Sequence, residues 1–225
     1  MYKVIFVDID NTLLDFNKCA KESMEKAFKD FGLTFKEELF DIFIDTNNRL
    51  WKDLEKELIT KEELRNTRWN LILKKCGIIE DGIKFEIRFE ELLAESHQPV
   101  DGAMDLLQYL SSKYDVYLVT NGFTKAQTNR ISLAGITPYV KEMFVSESIG
   151  HSKPSKEFFE YCLSKIDNIK KDEIIIIGDS LSADIKGGIA FGIDTCWYNH
   201  CAERKPQDIP INYTVTKLRE ILDIL

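Results

Sequence analysis

Short, unbroken apolar runs recur along this chain and predict strands that are buried on both faces. The clearest runs occupy positions 4–7, 116–119 and 174–177 and consist mainly of Val, Ile and other bulky residues. Strands of this kind are typical of parallel sheets that helices cover on both faces. Weaker patterns predict further strands at 143–146, at 194–198 and near Tyr213.

Helical stripes alternate with these strands in the second half of the chain. Apolar residues spaced three and four apart predict helices at 103–113, 124–133, 156–165, 183–191 and 217–225. Alternating strands and helices are typical of an α/β fold with a parallel sheet. We therefore predict an α/β protein with a Rossmann-like parallel sheet core.

The segment between the first two strands differs, because it shows helical spacing throughout. About 105 residues separate these strands, whereas a βαβ unit needs roughly 30. Four apolar stripes predict a smaller four-helix cap domain over 16–98, inserted after the first strand of a core formed by 1–15 and 99–225. The insertion begins at the carboxyl end of a strand, so we expect it to act as a lid.

The charge of the chain limits its partners. A net charge of −8 and an isoelectric point near 5.1 argue against a surface for polymeric nucleic acid. A small anionic substrate is compatible with this charge, since a bound cation reverses the field inside a pocket. We expect no membrane partner and a cytoplasmic location, because no apolar run is long enough to span a bilayer and no leader pattern precedes the first strand.

The five cysteines form no CxxC pair and are odd in number. Cys196, His200 and Cys201 lie close in sequence, so a soft-metal site is conceivable there. Buried or idle thiols in a reducing compartment are the alternative that the pattern favours.

Polar residues follow the predicted strands, at the edge of the sheet where α/β proteins bind ligands. Any one of them has an ordinary explanation as a turn residue, a helix cap or a solvated charge. Their occurrence on successive units favours a shared site, and two neighbouring acids there require a cation nearby. The residues are Asp8, Asp10, Thr120, Asn121, Lys153, Asp179 and Asp184.

These positions resemble the four motifs of the haloacid dehalogenase superfamily of aspartyl-phosphate phosphotransferases. The resemblance covers essentially the whole chain and includes the helical insertion. Finer features resemble the pyrimidine 5′-nucleotidases of that superfamily that act on non-standard nucleotides. These features are Leu50-Trp51, Ile59-Thr60, Thr120-Asn121-Gly122-Phe123, Ser146-Glu147, Lys153-Pro154, and Thr195-Cys196-Trp197 with Asn199.

The resemblance implies a phosphomonoesterase that forms an aspartyl phosphate. Asp8 would be the nucleophile, and Mg²⁺ would bind Asp8, Asp179 and the backbone carbonyl of Asp10. Asp10 would be the general acid and base, kept protonated at first by the neighbouring carboxylates. The remaining residues would hold the phosphate or its partners: Thr120, the amide of Asn121 and Lys153 at the transferring oxygens, with Asp184 orienting Lys153 or the metal's waters.

Specificity is expected to lie in the cap. Asn47 and Trp51 are the substrate-binding candidates, with Phe16, Phe43 and Trp69 as further residues able to contact a base. Helical spacing offers the alternative that these side chains pack in the core of the cap.

The expected activity is a 5′-nucleotidase on non-standard pyrimidine nucleoside monophosphates, a small-molecule phosphomonoester substrate. The first alternative is a sugar-phosphate phosphatase or phosphomutase on the same core. Carbon–halogen hydrolysis is a second, although it needs neither Asp10 nor a metal. A phospholigand sensor without catalysis is a third, since a fold alone does not fix function.

Overall fold

The computed structural model describes residues 1–225, which form two compact units. The first unit contains Met1–Phe16 and His97–Leu225, and the second contains Asn17–Ser96. No helix in the chain has the length and apolar character needed to cross a bilayer.

The first unit is built on a six-stranded parallel sheet, which confirms the predicted α/β class. The strand order is β3-β2-β1-β4-β5-β6, so the chain runs outward in both directions from β1 and β4. Ligand crevices of open α/β sheets lie where the order reverses in this way. The strands are β1 (Val4–Val7), β2 (Asp115–Thr120), β3 (Glu142–Val145), β4 (Ile174–Gly178), β5 (Asp194–Tyr198) and β6 (Tyr213–Val215).

The central strands are fully buried because apolar side chains cover both faces of the sheet. Val4–Val7 and the isoleucines of β4 have almost no exposed surface. Burial of this kind contributes about 25 cal/mol per Å² of apolar area and explains why unbroken runs mark these strands. The helices of this unit are α5 (Ala103–Lys113), α6 (Thr124–Leu133), the short α7 (Ser146–Ile149), α8 (Lys156–Ser164) and α9 (Gly187–Phe191).

Two of the predicted helices differ in the structure. The segment Leu181–Lys186 before α9 is a π-helical turn, because the Ser180 carbonyl accepts from the backbone N–H groups of both Asp184 and Ile185. Such turns displace a side chain relative to a regular helix and recur at functional sites. The predicted terminal helix is shorter and forms a 3₁₀ segment, Leu218–Asp223.

The second unit is helical throughout. Its third helix begins with a capping box, in which the Thr60 side chain accepts from the Glu63 amide and the Glu63 carboxylate accepts from the Thr60 amide. Phe43, Trp69 and Phe85 are fully buried in its core, where Trp69 packs against both phenylalanines. The helices are α1 (Phe16–Asp30, whose first residue belongs to the first unit), α2 (Glu37–Glu55), α3 (Lys61–Lys75) and α4 (Gly82–Glu95).

Candidate active site

A tight turn after β1 places two acids at the carboxyl edge of the sheet. The Ile9 carbonyl accepts hydrogen bonds from the N–H groups of three later residues, ending with Leu14 at 2.9 Å. Asn11 has φ of 59°, a left-handed conformation that Asn tolerates better than most residues. Asp8 therefore lies directly after the last residue of β1, whereas Asp10 lies within the turn that follows.

Lys153 lies at the centre of the site. Its Nζ atom donates to Asp8 Oδ1 at 2.7 Å, to Asp184 Oδ1 at 2.6 Å and to the Val119 carbonyl at 2.7 Å. The side chain is only 2% exposed, so this buried cation is compensated by two carboxylates. Burial lowers the pKa of Lys153, but Asp184 and Asp8 together raise it above its usual range. The ammonium group is therefore held charged.

The loop that carries Lys153 is fixed by the side chain of Asn121. Asn121 Nδ2 donates to the Lys153 carbonyl at 2.8 Å, and Asn121 Oδ1 accepts from the Lys153 amide at 2.9 Å. The Ser146 hydroxyl in turn donates to the Asn121 carbonyl at 3.2 Å. Sequence reasoning considered only the backbone amide of Asn121, and it missed this use of the side chain because the two loops are distant in the chain.

Three acids form a cluster that can hold a cation. Carboxylate oxygens of Asp8, Asp179 and Asp184 lie within 4.8 Å of one another. Asp184 Oδ1 accepts from Lys153, and its Oδ2 accepts from the Ser180 amide at 3.1 Å. Asp8 and Asp179 are therefore better placed than Asp184 to bind a metal directly. An all-oxygen donor set suits a hard divalent cation such as Mg²⁺.

Close packing sets the position of Asp184. A Cβ atom on Gly178 would lie 2.2 Å from Asp184 Oδ2, which is far inside contact distance. Only glycine at the end of β4 therefore allows Asp184 to reach Lys153. This is the physical reason for glycine before Asp179 in the Gly178-Asp179-Ser180 sequence.

Burial perturbs the titration of these acids. It raises the pKa of Asp8 to about 7, although Lys153 opposes the shift, and the charge of Asp184 adds to it. Burial also raises the pKa of Asp179 to about 6, opposed by the nearby His200. Acids whose charged form is penalised in this way gain most from a bound cation.

Asp10 is bound by two side chains of α6 that the sequence analysis did not identify. Arg130 Nη1 donates to Asp10 Oδ1 at 2.6 Å, and Gln127 Nε2 donates to Asp10 Oδ2 at 2.7 Å. The expectation that neighbouring carboxylates keep Asp10 protonated took no account of this ion pair. The only available signal was the spacing of Gln127 and Arg130, one helical turn apart directly after the Thr120 motif.

Thr120 is connected to the same network. Its Oγ1 atom accepts from the Gly122 amide at 3.0 Å and from Gln127 Nε2 at 3.0 Å. A hydroxyl oxygen that accepts two hydrogen bonds is left with its own O–H to donate. Thr120 is thus oriented as a donor.

The two substrate-binding candidates of the cap lie in the second unit. Asn47 is buried, and its Oδ1 atom accepts from Arg68 Nη1 at 3.0 Å and from Trp51 Nε1 at 3.2 Å. Arg68 also forms a buried bidentate ion pair with Glu86. Asn47 therefore links Trp51, which is partly exposed, to a fixed charge pair inside this unit.

The cysteines are all free thiols, as the sequence analysis favoured. Cys196 is buried in the core of the first unit, whereas Cys201 is exposed beside His200. His200 Nε2 lies 3.9 Å from Asp179 Oδ2. Of the three residues considered for a soft-metal site, Cys196 is thus buried in the core, Cys201 is exposed, and His200 lies near Asp179.

The sequence matches the haloacid dehalogenase-like hydrolases over residues 2–192. The pyrimidine 5′-nucleotidase PynA of Streptococcus pneumoniae is 38% identical over 226 residues, which cover 100% of this chain and 95% of PynA. The pyrimidine 5′-nucleotidase YjjG of Escherichia coli is 31% identical, covering 98% of this chain and 96% of YjjG.

A solved structure extends this similarity to the whole fold. The HAD hydrolase YfnB of Bacillus subtilis, in a crystal form bound to magnesium, is 37% identical and matches with a TM-score of 0.94. The match covers 100% of this chain and 98% of YfnB. A family match over most of the residues, with relatives similar along nearly the whole length, shows that this enzyme belongs to the haloacid dehalogenase-like hydrolases.

Proposed function

We propose that this hydrolase is a Mg²⁺-dependent phosphomonoesterase that acts on pyrimidine nucleoside 5′-monophosphates, non-standard ones included. The observation that carries the proposal is the buried Lys153, which contacts Asp8 and Asp184 beside Asp179. The substrate class is supported by the two pyrimidine 5′-nucleotidases at 31% and 38% identity.

Asp8 is the proposed nucleophile. One of its oxygens is bound to Lys153, which leaves the other to attack phosphorus and form an aspartyl phosphate. Covalent catalysis of this kind divides the hydrolysis into two displacements, each with a lower barrier. Asp8, Asp179 and the Asp10 carbonyl would hold Mg²⁺, which would supply the positive charge that lets an anionic nucleophile approach a phosphate.

Asp10 is the proposed general acid and base. Since the free carboxylate pairs with Arg130, Asp10 would first take up a proton as the substrate enters, and it would give that proton to the leaving alkoxide in the first displacement. In the second displacement it would take a proton from the attacking water. Asp184 does not contact the phosphate in this proposal, because its two oxygens hold Lys153 and the Ser180 amide.

Thr120 and the backbone amide of Asn121 bind the oxygens of the transferring phosphate. The three N–H groups of Lys153 already donate within the protein, so this residue contributes its charge. The Thr120 hydroxyl is oriented as a donor by Gly122 and Gln127, and Lys153 adds a fixed positive charge. Fixed donors of this kind are the main source of rate enhancement in phosphoryl transfer, since they need no reorganisation during reaction.

Charge balance supports the proposal. Asp8, Asp179 and Asp184 contribute three negative charges, and Lys153 contributes one positive charge. A divalent cation makes the set neutral before the phosphate dianion enters. Without the cation, the substrate would meet a negative site.

A panel of phosphate esters tests the function. We expect phosphate release from pyrimidine nucleoside monophosphates in Mg²⁺, with kcat/KM at least about tenfold higher than for purine nucleotides or sugar phosphates, a preference of ~1.4 kcal/mol. EDTA should abolish the release. Sugar phosphates as the best substrates would overturn the nucleotidase assignment, and full activity in EDTA would overturn the metal dependence.

Trp51 and Asn47 stay in the proposal as specificity residues of the second unit. Trp51 is the candidate for contact with the base, and Asn47 orients its indole N–H. The same panel measured on Trp51→Ala shows whether this unit contributes to base preference.

Mg²⁺ binding should depend on pH, because protons compete for the acids. In the metal-free protein the pKa values of Asp8 (about 7) and Asp179 (about 6) lie above the ordinary value, so both acids take up protons as the pH falls. Mg²⁺ must then displace those protons, and its contribution to stability is lost at low pH. We expect the Mg²⁺-induced rise in Tm to be large at about pH 8 and small at about pH 5.

Asp179→Asn is the control for this pH comparison. Mg²⁺ should raise the Tm of this variant only slightly at either pH. The prediction would be contradicted if Mg²⁺ raised the Tm of the wild-type protein equally at both pH values, or more at the lower pH.

A further inference from the structure

Gln127 and Arg130 enclose the Asp10 carboxylate on one side. Arg130 binds Asp10 Oδ1 at 2.6 Å and Gln127 binds Asp10 Oδ2 at 2.7 Å, so both oxygens are held. Arg130 Nη1 also donates to Gln127 Oε1 at 3.0 Å, which fixes the orientation of the Gln127 amide. The three side chains therefore form a closed set of hydrogen bonds.

The two partners are built into the core. Gln127 is 1% exposed and Arg130 is 2% exposed, so both donor side chains are shielded from water. A buried guanidinium requires a negative partner, and Asp10 is the carboxylate that the ion pair provides. Charge-assisted hydrogen bonds of this kind are roughly twice as strong as neutral ones, which makes the position of Asp10 well defined.

Gln127 joins two groups of the proposed site. Its Nε2 atom donates to Asp10 Oδ2 at 2.7 Å and to Thr120 Oγ1 at 3.0 Å. One amide therefore fixes the spacing between the proton-transfer group and a phosphate-binding hydroxyl.

Gly122 is the reason that Gln127 can occupy this place. A Cβ atom on Gly122 would lie 2.5 Å from Gln127 Nε2 and 2.9 Å from Gln127 Cδ. A methyl group at this position would displace the amide from both Asp10 and Thr120.

We propose that Gln127 and Arg130 are positioning residues for the reaction, which set the orientation of Asp10 and its spacing from Thr120. The inference rests on the proposed function and adds two residues that the sequence motifs do not include. The pair acts through Asp10 and Thr120 and does not contact the phosphate.

The consequence differs between the two displacements. With p-nitrophenyl phosphate, the Asp8–phosphorus bond forms as the bond to the nitrophenolate oxygen breaks, and this good leaving group departs without a proton. Water then attacks the aspartyl phosphate, its proton passes to Asp10, and phosphate and free Asp8 are released. With p-nitrophenyl phosphate, a misplaced Asp10 therefore slows only the second displacement. With a nucleoside monophosphate it slows both displacements, because the leaving alkoxide also needs a proton.

Pre-steady-state kinetics of Gln127→Met and Arg130→Met test the inference. We expect kcat for a nucleoside monophosphate to fall about 10- to 100-fold. With p-nitrophenyl phosphate we expect a smaller loss and a larger burst of nitrophenolate than in the wild-type enzyme, because the aspartyl phosphate accumulates. Arg130→Lys keeps the charge and should recover part of the lost activity.

Gly122→Ala is an independent variant that changes neither Gln127 nor Arg130 in the sequence. It should reproduce the Gln127→Met burst by displacing the amide, even where a change at the buried Arg130 prevents folding. Arg88→Met is the matched control, because it removes a partly exposed arginine of the second unit that pairs with Asp30 and Glu91, and its kinetics should equal those of the wild type.

Equal losses on both substrates with no added burst would show that the pair only supports the fold, and this would overturn the inference. Unchanged kinetics in Gln127→Met and Gly122→Ala would overturn it as well. A wild-type enzyme that hydrolyses neither substrate would instead overturn the proposed function, and this inference with it.

Discussion

Replacement of Asp8 by Asn should abolish phosphate release while the fold is retained. The amide has nearly the same shape but cannot attack phosphorus, so we expect kcat to fall by about 10³-fold or more. Stability in EDTA should not decrease, because burial penalises the charged form of Asp8, and Lys153 keeps Asp184 as a partner. Phosphate release with the chosen nucleotide and thermal unfolding in EDTA measure the two effects.

Asp172→Asn is the matched control for this variant. Asp172 is exposed in the turn Lys171–Glu173 before β4, at the edge of the sheet opposite the site. Its activity and Tm should equal those of the wild type. If Asp8→Asn kept most of the wild-type activity, Asp8 would not be the nucleophile.

Replacement of Lys153 by Met should destabilise the protein and remove its activity. Removing one partner of a buried ion pair leaves uncompensated charge and costs about 3–5 kcal/mol. Here the loss of the ammonium group leaves the carboxylates of Asp8 and Asp184 to repel each other in a buried site. We expect the free energy of unfolding, measured with urea in EDTA, to fall by about this amount at neutral pH.

The destabilisation caused by Lys153→Met should decrease as the pH falls. The pKa values of Asp8 and Asp184 are raised by burial, so both acids take up protons as the pH falls and the uncompensated charge disappears. The destabilisation should therefore be smaller at about pH 5 than at about pH 8. An equal loss at both pH values would show that only the packing of the lysine side chain matters.

Lys217→Met serves as the control, since this lysine is exposed before the terminal 3₁₀ segment. Its free energy of unfolding should stay within about 0.5 kcal/mol of the wild type. A comparable loss in the control would show that the effect does not depend on the buried ion pairs.

The order of the elements was predictable because it depends on local patterns. The runs in β1 and β4 are apolar at every position since both faces of the sheet are covered, and no tertiary information is needed to recognise them. The Thr60–Glu63 capping box is likewise a local signal, and the structure contains it.

The partners of the site residues were less predictable. Asn121 binds a residue 32 positions away, and Arg130 binds one 120 positions away. Such pairs depend on which strands become neighbours and on the path of each loop. The π-helical turn before α9 also escaped prediction, because apolar spacing alone does not distinguish it from a regular helix.

The sequence by itself determined the α/β class, the chemical groups at the strand ends and the resemblance to a hydrolase superfamily. Only the tertiary structure decided which of those groups touch: Lys153 with Asp8 and Asp184, and Asp10 with Gln127 and Arg130. The physical reason for this difference is that apolar periodicity depends only on residues that are close in the sequence. Compensation of a buried charge, in contrast, depends on side chains that meet only after the sheet has formed.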